Sequence, residues 1–430
     1  MAFPIAISTA FQLFQVFRQG ATIVIAIALA WSSLDRGAIG GYEMLLYIGY
    51  LVSFFWSNGL LQAMLSLHPK LSEEGQQQLY VQAFLLFSSL SALIIAGLWF
   101  GQVPVLRLLV QQDSIPYWSF FLVFLLTNIP TSLQEHFYLL EKQSVALLVY
   151  GLLSAGAQVV IMALPALLGY DFRWSFVGLV LLGVVKYFWL FLFVMNRVTW
   201  QWDGTILRTW WRMAWPLMVS AGLGAINVSI GAWMVGLLFA GDPAQFGIYR
   251  YGARELPLMG ALTGALASAM IPVIAQNTAI GLGQLRRETA RLQHILFPLS
   301  IVLLFTAGWW FPWIFSEEYR VAVPVFQTFL LLTLPYMIFA RTVLIAQADL
   351  RVLPFFVIGG IGVHLLLCWW LGSHFGLPGV AMGSVAAFTL EKIAMIIYVE
   401  VGHGIHWRTY TAWEWWLGYS AILVGSYLLI

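Results

Sequence analysis

The chain has 430 residues, of which 61% are hydrophobic and only 9% charged, with a net charge of +2. Soluble domains carry about 25% charged residues, so a water-facing globule is excluded, and so small a charge gives no footing for nucleic acid. The one cysteine, Cys368, lies in an apolar run, which rules out an intramolecular disulfide and a thiolate metal cluster.

Apolar runs of spanning length recur along the whole sequence. Each covers a hydrocarbon core of roughly 30 Å at about 1.5 Å per residue. In lipid every backbone amide must bond within its own segment, so the runs read as helices, and they lack the alternation of barrel strands. Helices are predicted near 8–31, 42–67, 79–99, 115–140, 145–168 and 175–195, then near 213–239, 247–275, 293–315, 323–346, 354–372 and 378–401. The first carries Arg18 and lacks a basic leader, so it reads as a retained helix rather than a cleaved signal. A last run, 413–430, opens with Trp413, Trp415 and Trp416 and reads as a thirteenth span or an interfacial helix. Loops after even-numbered helices hold ten Lys and Arg and those after odd-numbered helices four, so the N-terminus and the loops 68–77, 196–212 and 276–292 are expected on the cytoplasmic side.

The two halves show an internal repeat. Gly40–Glu43 matches Gly247–Arg250, Ala63-Met64 matches Ala269-Met270, Pro130 matches Pro335, and Lys186 matches Lys392. An even number of helices per half makes this a parallel repeat, an arrangement suited to alternating access. The expected organisation is an all-α integral membrane protein. It has an N-terminal lobe over 1–200 (helices 1–6), a C-terminal lobe over 201–402 (helices 7–12) and a Trp-rich helix over 403–430.

Three segments carry a family resemblance: Phe17-Arg18-Gln19-Gly20, the turn Asp242–Tyr249, and Phe375–Gly383. With two six-helix lobes in parallel repeat, the chain resembles the multidrug/oligosaccharidyl-lipid/polysaccharide exporter superfamily, and within it the polysaccharide-unit (O-antigen type) flippases. The resemblance spans residues 8–402, and the run 413–430 departs from its usual twelve helices. It implies a non-enzymatic, multi-pass protein of the bacterial inner membrane that moves a lipid-linked saccharide by alternating access, with membrane lipids and other polysaccharide-assembly proteins as partners. The alternatives are an ion-coupled drug or small-molecule antiporter of the same superfamily and a membrane enzyme acting on lipid-linked sugar. The short outer loops weigh against the enzyme.

Charges inside the membrane are costly, by roughly 2.5–3.5 kcal/mol at a helix centre, and mark candidate sites. The deep bases are Arg18, Lys186, Arg250, Arg254, Arg341 and Lys392, and the deep acids are Glu135, Glu255 and Glu391. Bases outnumber acids, which favours an anionic substrate such as a phosphate or diphosphate, and Arg binds that group bidentately. The substrate-binding candidates are Arg18, Arg250, Arg254, Arg341 and Lys392. The resemblance implies a cationic cavity, for which Arg18 and Arg254 match best by helix and depth, with Arg250 on the same helix face as Arg254. Glu135, Glu255 and Glu391 are candidates for a coupling H+ or Na+. The same residues also admit snorkelling to headgroups or structural ion pairs such as Glu391–Lys392 and Arg254–Glu255. Pro130, Pro216, Pro257, Pro272 and Pro335 are expected to interrupt helices, as hinges or kinks. No metal spacing, nucleotide loop or cofactor motif is present.

Overall fold

The computed structural model describes residues 6–196, 204–254 and 257–430, and all regular structure among them is helical. The chain folds as two compact units, Met1–Ala225 and Ile226–Ile430. In the first unit come α1 (Ile7–Ala30) and α2 (Arg36–Leu67), where the Asp35 carboxylate accepts from the Ala38 amide at 2.7 Å. That bond satisfies one of the orphan donors at the start of α2. α3 (Glu73–Phe100) begins similarly, with Ser72 as cap and Glu73 and Glu74 at the positive end of the helix dipole. α4 (Gln102–Val110), α5 (Trp118–Asn128), α6 (Ser132–Leu140), α7 (Ser144–Leu167) and α8 (Arg173–Met195) follow. α1 packs along α7, and α5 against α8. A Cβ on Gly151 would lie 2.6 Å from Phe14, so the small residue permits the close approach of α1 and α7.

α9 (Gly204–Leu238) runs across the division at residue 225. The second unit continues with α10 (Pro243–Gly252), α11 (Pro257–Gln276), α12 (Thr278–Phe315), α13 (Val323–Leu330), α14 (Thr333–Tyr336), α15 (Ala340–Ala346), α16 (Leu353–His403) and α17 (Trp413–Leu429). α16 is two helices joined at Gly376, whose φ of 68° and ψ of −148° only glycine adopts readily. α17 packs along α12, with Tyr419 stacked on Phe297 and Tyr427 bonded to Thr328 at 2.8 Å. Nine helical stretches among the described residues are long and apolar enough to cross a membrane, so the chain is a multi-pass membrane protein.

Several predicted elements differ in detail. The predicted helix 115–140 is broken into α5 and α6 around Pro130, and the predicted helix 323–346 into α13, α14 and α15 around Pro335. The predicted helix 247–275 is divided into α10, which ends at Gly252, and α11, which begins at Pro257. Pro216 and Pro272 lie inside α9 and α11 without interrupting them. The expected loop 276–292 is instead the first third of α12, and the expected linker 196–212 is helical from Gly204. Its three arginines suggested a loop, but Gly281, Leu282, Leu285 and Thr289 form one buried face at helical spacing. His68, at the start of the expected loop 68–77, is buried and meets the Tyr80 hydroxyl at 2.9 Å.

Candidate functional site

In the first unit the chain breaks around Pro130 between α5 and α6, with Ile129, Pro130 and Thr131 buried and Asn128 and Ser132 half-buried. Glu135 sits in the first turn of α6, and Arg18 of α1 donates to its carboxylate at 3.2 Å. Their side chains differ in setting: Glu135 is 8% exposed and Arg18 56%. Arg18 also bonds Gln15, one turn earlier on the same helix. Lys186 of α8 donates to the Asn128 side chain at 2.7 Å, at the last residue of α5. A cavity of about 120 Å³ lies among Arg18, Asn128, Glu135, Gln158 and Lys186. Two bases face one acid there. The excess positive charge and the exposed guanidinium favour an anion. His136 follows Glu135 and is held by the Ser132 carbonyl at 2.8 Å.

The second unit holds another cavity beside a proline break. Arg341 of α15 and Lys392 of α16 line a space of about 370 Å³ together with Thr263, Pro335 and Tyr336. The Asn227 side chain lies beside Glu391, and the charges of Lys392 and Arg341 act on that carboxylate. Asn227 in turn accepts from His364 at 3.1 Å, and the other ring nitrogen of His364 meets the Ser384 hydroxyl at 2.9 Å. His364 is 1% exposed.

Arg250 lies in the last turn of α10, whereas Arg254 lies beyond its C-cap Ala253, so the shared helix face expected for the pair is not formed. The Arg254 guanidinium sits over the Tyr251 ring at 4.8 Å, and that ring stacks on Tyr319 at 4.2 Å. Glu255 lies outside the described residues. Arg18 and Arg254 belong to different units, and each is placed by its own neighbours. Among the described residues no group of three or more His, Cys, Asp or Glu is arranged to hold a metal.

A family model described as a polysaccharide biosynthesis protein matches residues 34–324. The chain belongs to this family. No curated protein sequence matches it. Among solved structures it is similar to the lipid II flippase MurJ in an inward closed conformation, with a TM-score of 0.74, 13% identity, and coverage of 97% of this chain and 91% of that one. It is also similar to an inward-facing multidrug resistance MATE family transporter of the MOP superfamily, with a TM-score of 0.69, 14% identity, and coverage of 89% and 94%. A third likeness is to a MOP superfamily transporter from Pyrococcus furiosus described as having a binding pocket of reverse polarity. Its TM-score is 0.58 at 14% identity, with coverage of 93% and 97%. At these identities the likeness is one of fold, and the fold is that of the exporter superfamily.

Within this member of the polysaccharide biosynthesis family, the structure gathers Arg18, Glu135 and Lys186 in one unit and Arg341, Glu391 and Lys392 in the other. Glu391 and Lys392 are chain neighbours whose charges act on each other. A search for charges passed over Asn227, His364 and Ser384. The available signal was a lone Asn and a lone His within otherwise apolar runs.

Proposed function

We propose that the chain is a flippase for a saccharide linked to a phosphate- or diphosphate-bearing lipid carrier, working by alternating access during assembly of a cell-surface polysaccharide. The observation that carries the reading is the cationic cavity of the first unit, where Arg18 and Lys186 face a single carboxylate. Membership of the polysaccharide biosynthesis family supports the saccharide, and the likeness to a lipid II flippase supports a lipid carrier. Arg18 takes the phosphate bidentately. Glu135 holds the guanidinium in place before substrate arrives. Arg254, Arg250, Arg341 and Lys392 supply further positive charge, and Glu135, Glu255 and Glu391 are the acids available to a coupling ion. A cation-exporting drug antiporter calls for the reverse balance, with acids in excess. On this reading the protein lies in the bacterial inner membrane, and the distribution of Lys and Arg between the predicted loops favours a cytoplasmic N-terminus.

The test is the lipid fraction of cells lacking the protein. A lipid-linked saccharide should accumulate there, identified by mass, and well-expressed Arg18→Ala and Arg254→Ala variants should fail to restore export. Arg18→Lys should restore it in part, since a point charge cannot reproduce the fork. Full export by both alanine variants, or no accumulating intermediate, overturns the reading.

A further inference from the structure

α12 is longer than a membrane is thick. Its 38 residues span about 57 Å at about 1.5 Å each, against a hydrocarbon core of roughly 30 Å. Its charged residues, Arg286, Arg287, Glu288 and Arg291, all precede Leu292, so the first part of the helix stands outside the hydrocarbon. In α17 the one charged residue is Glu414, next to its start. The two helices run side by side in the same direction. Arg286 donates to Glu414 at 2.6 Å, His294 meets the Tyr419 hydroxyl at 3.0 Å, and Phe297 stacks on the Tyr419 ring. The polar ends of both therefore lie at one level, at the membrane surface.

An open cleft of about 680 Å³ lies between those ends, lined by Arg286, Arg287, Ala290, Thr409, Glu414 and Trp415. Arg408 precedes Thr409 in the turn Trp407–Thr409. The acids at this end are already engaged: Glu414 by Arg286, Glu288 by Arg291 at 2.6 Å, and Glu400 by His406 at 3.4 Å. Arg287 reaches back to the Gly283 carbonyl, and Arg408 lies over the rings of Trp407 and Trp413. Among the described residues neither has a carboxylate within ion-pair distance. Two exposed positive charges are thus left at a level that the indoles of Trp407, Trp413 and Trp415 favour, that of the headgroups. Further along, the same helix faces are apolar and exposed. Phe305 stands on the face of Arg287, about five turns on, and Ile422 on the face of Trp415, about two turns on.

We propose that this cleft binds the headgroup of an anionic glycerophospholipid. The lipid phosphate lies against Arg287 and Arg286, Arg408 adds its charge, and the acyl chains run along the exposed apolar faces of α12 and α17. A basic pocket between helices at the membrane surface is the setting in which anionic headgroups are recognised. A soluble phosphate would use the arginines and leave the apolar faces idle. The cleft shares no lining residue with the two cavities described above, and the inference stands without the transport reading.

The test is native mass spectrometry of the full chain, stripped of lipid and titrated in detergent with phosphatidylglycerol or with phosphatidylcholine of the same acyl chains. Phosphatidylglycerol should be preferred by about tenfold or more, and added salt should reduce the preference. Arg287→Gln/Arg408→Gln should weaken phosphatidylglycerol binding by about 25-fold, at about fivefold for each arginine. Glu414→Gln frees Arg286 and should tighten binding by about fivefold, a gain that a misfolded variant cannot produce. Glycerol phosphate and a polyprenyl diphosphate, each at the concentration of the phospholipid, should not displace it. Equal affinity for the two phospholipids, or a double variant that binds as the native chain does, overturns the proposal. Displacement by glycerol phosphate makes the cleft a site for a soluble anion, and displacement by the polyprenyl diphosphate assigns it to a carrier lipid; either result overturns it as well.

Discussion

Replacing Glu135 by Gln keeps the shape of the side chain and removes the one acid of the first-unit cavity. The change leaves Arg18 and Lys186 facing each other's field without a carboxylate between them. A hydrogen bond to a charged group contributes about 1.5–3 kcal/mol, whereas an exposed ion pair contributes about 0–1 kcal/mol. Glu135 is buried but Arg18 is more than half exposed, so the expected loss lies between these, at about 1–2 kcal/mol. For a unit of this size that corresponds to roughly 2–8 °C in the apparent melting temperature. The measurement is thermal unfolding of the purified protein in detergent, followed by loss of the monodisperse species. The double variant Glu135→Gln/Arg18→Gln should recover part of the loss, because the uncompensated charge has gone with its partner. A freed Arg18 should also hold an anion more tightly, so Glu135→Gln should lower the apparent KM for the substrate while slowing turnover. A single variant as stable as the native protein, or a strictly additive double variant, refutes the ion pair as a structural element of the cavity.

Gly376→Ala should destabilise by about 1–3 kcal/mol through backbone strain alone, since a Cβ there meets nothing within 4 Å, and thermal unfolding checks it. At the exposed pair Arg107–Asp113, the hydrogen bond from Arg107 holds the Asp113 carboxyl below its ordinary range. Its small stabilising effect is therefore present at neutral pH and lost as pH falls below about 4, so Asp113→Asn should flatten any pH dependence arising there. A single cysteine at Arg287, in a Cys368→Ser background, should resist an impermeant maleimide in intact cells and react after the membrane is opened. Labelling from outside reverses the assigned orientation.

How much was legible follows from where the signal resides. Spanning helices were readable because apolar length is a property of the chain itself, and α1, α7 and α8 lie within a few residues of their predicted positions. The breaks in the predicted helices 115–140 and 323–346 were signalled only by Pro130 and Pro335, since proline inside a helix is tolerated at Pro216 and Pro272 in this same chain. Which outcome follows depends on whether neighbouring groups satisfy the freed carbonyl, a tertiary fact absent from local sequence. The start of α12 was misjudged for the opposite reason. Its arginines dominate a charge count, whereas its buried face appears only once Leu282 and Leu285 join the cluster around Ile338 and Val343. Arg18 and Glu135 were each picked out as deep charges. Their pairing across 117 residues could not be, because it depends on α1 lying along α7 and on the break that turns α6.

The sequence matches between the halves gain a local meaning from these cavities. Pro130 and Lys186 belong to one site: the break at Pro130 leaves Asn128 at a helix end, where it receives the Lys186 ammonium. Pro335 and Lys392, which match them in sequence, likewise border one cavity within the other unit. A helix interrupted at membrane depth frees backbone carbonyls and polar side chains, and such a break is tolerated where it lines a cavity. A lysine beside it then has partners that an unbroken apolar helix would not provide. In the first unit the proline break and the lysine therefore make sense as a pair, since Asn128 at the break receives the Lys186 ammonium. The acids differ in their settings: Glu135 bonds an arginine directly, while Glu391 lies beside an asparagine that in turn holds a histidine. The first arrangement positions a fixed cation. The second sets its carboxylate beside a buried chain of asparagine, histidine and serine, so the two units place their acids in different polar surroundings.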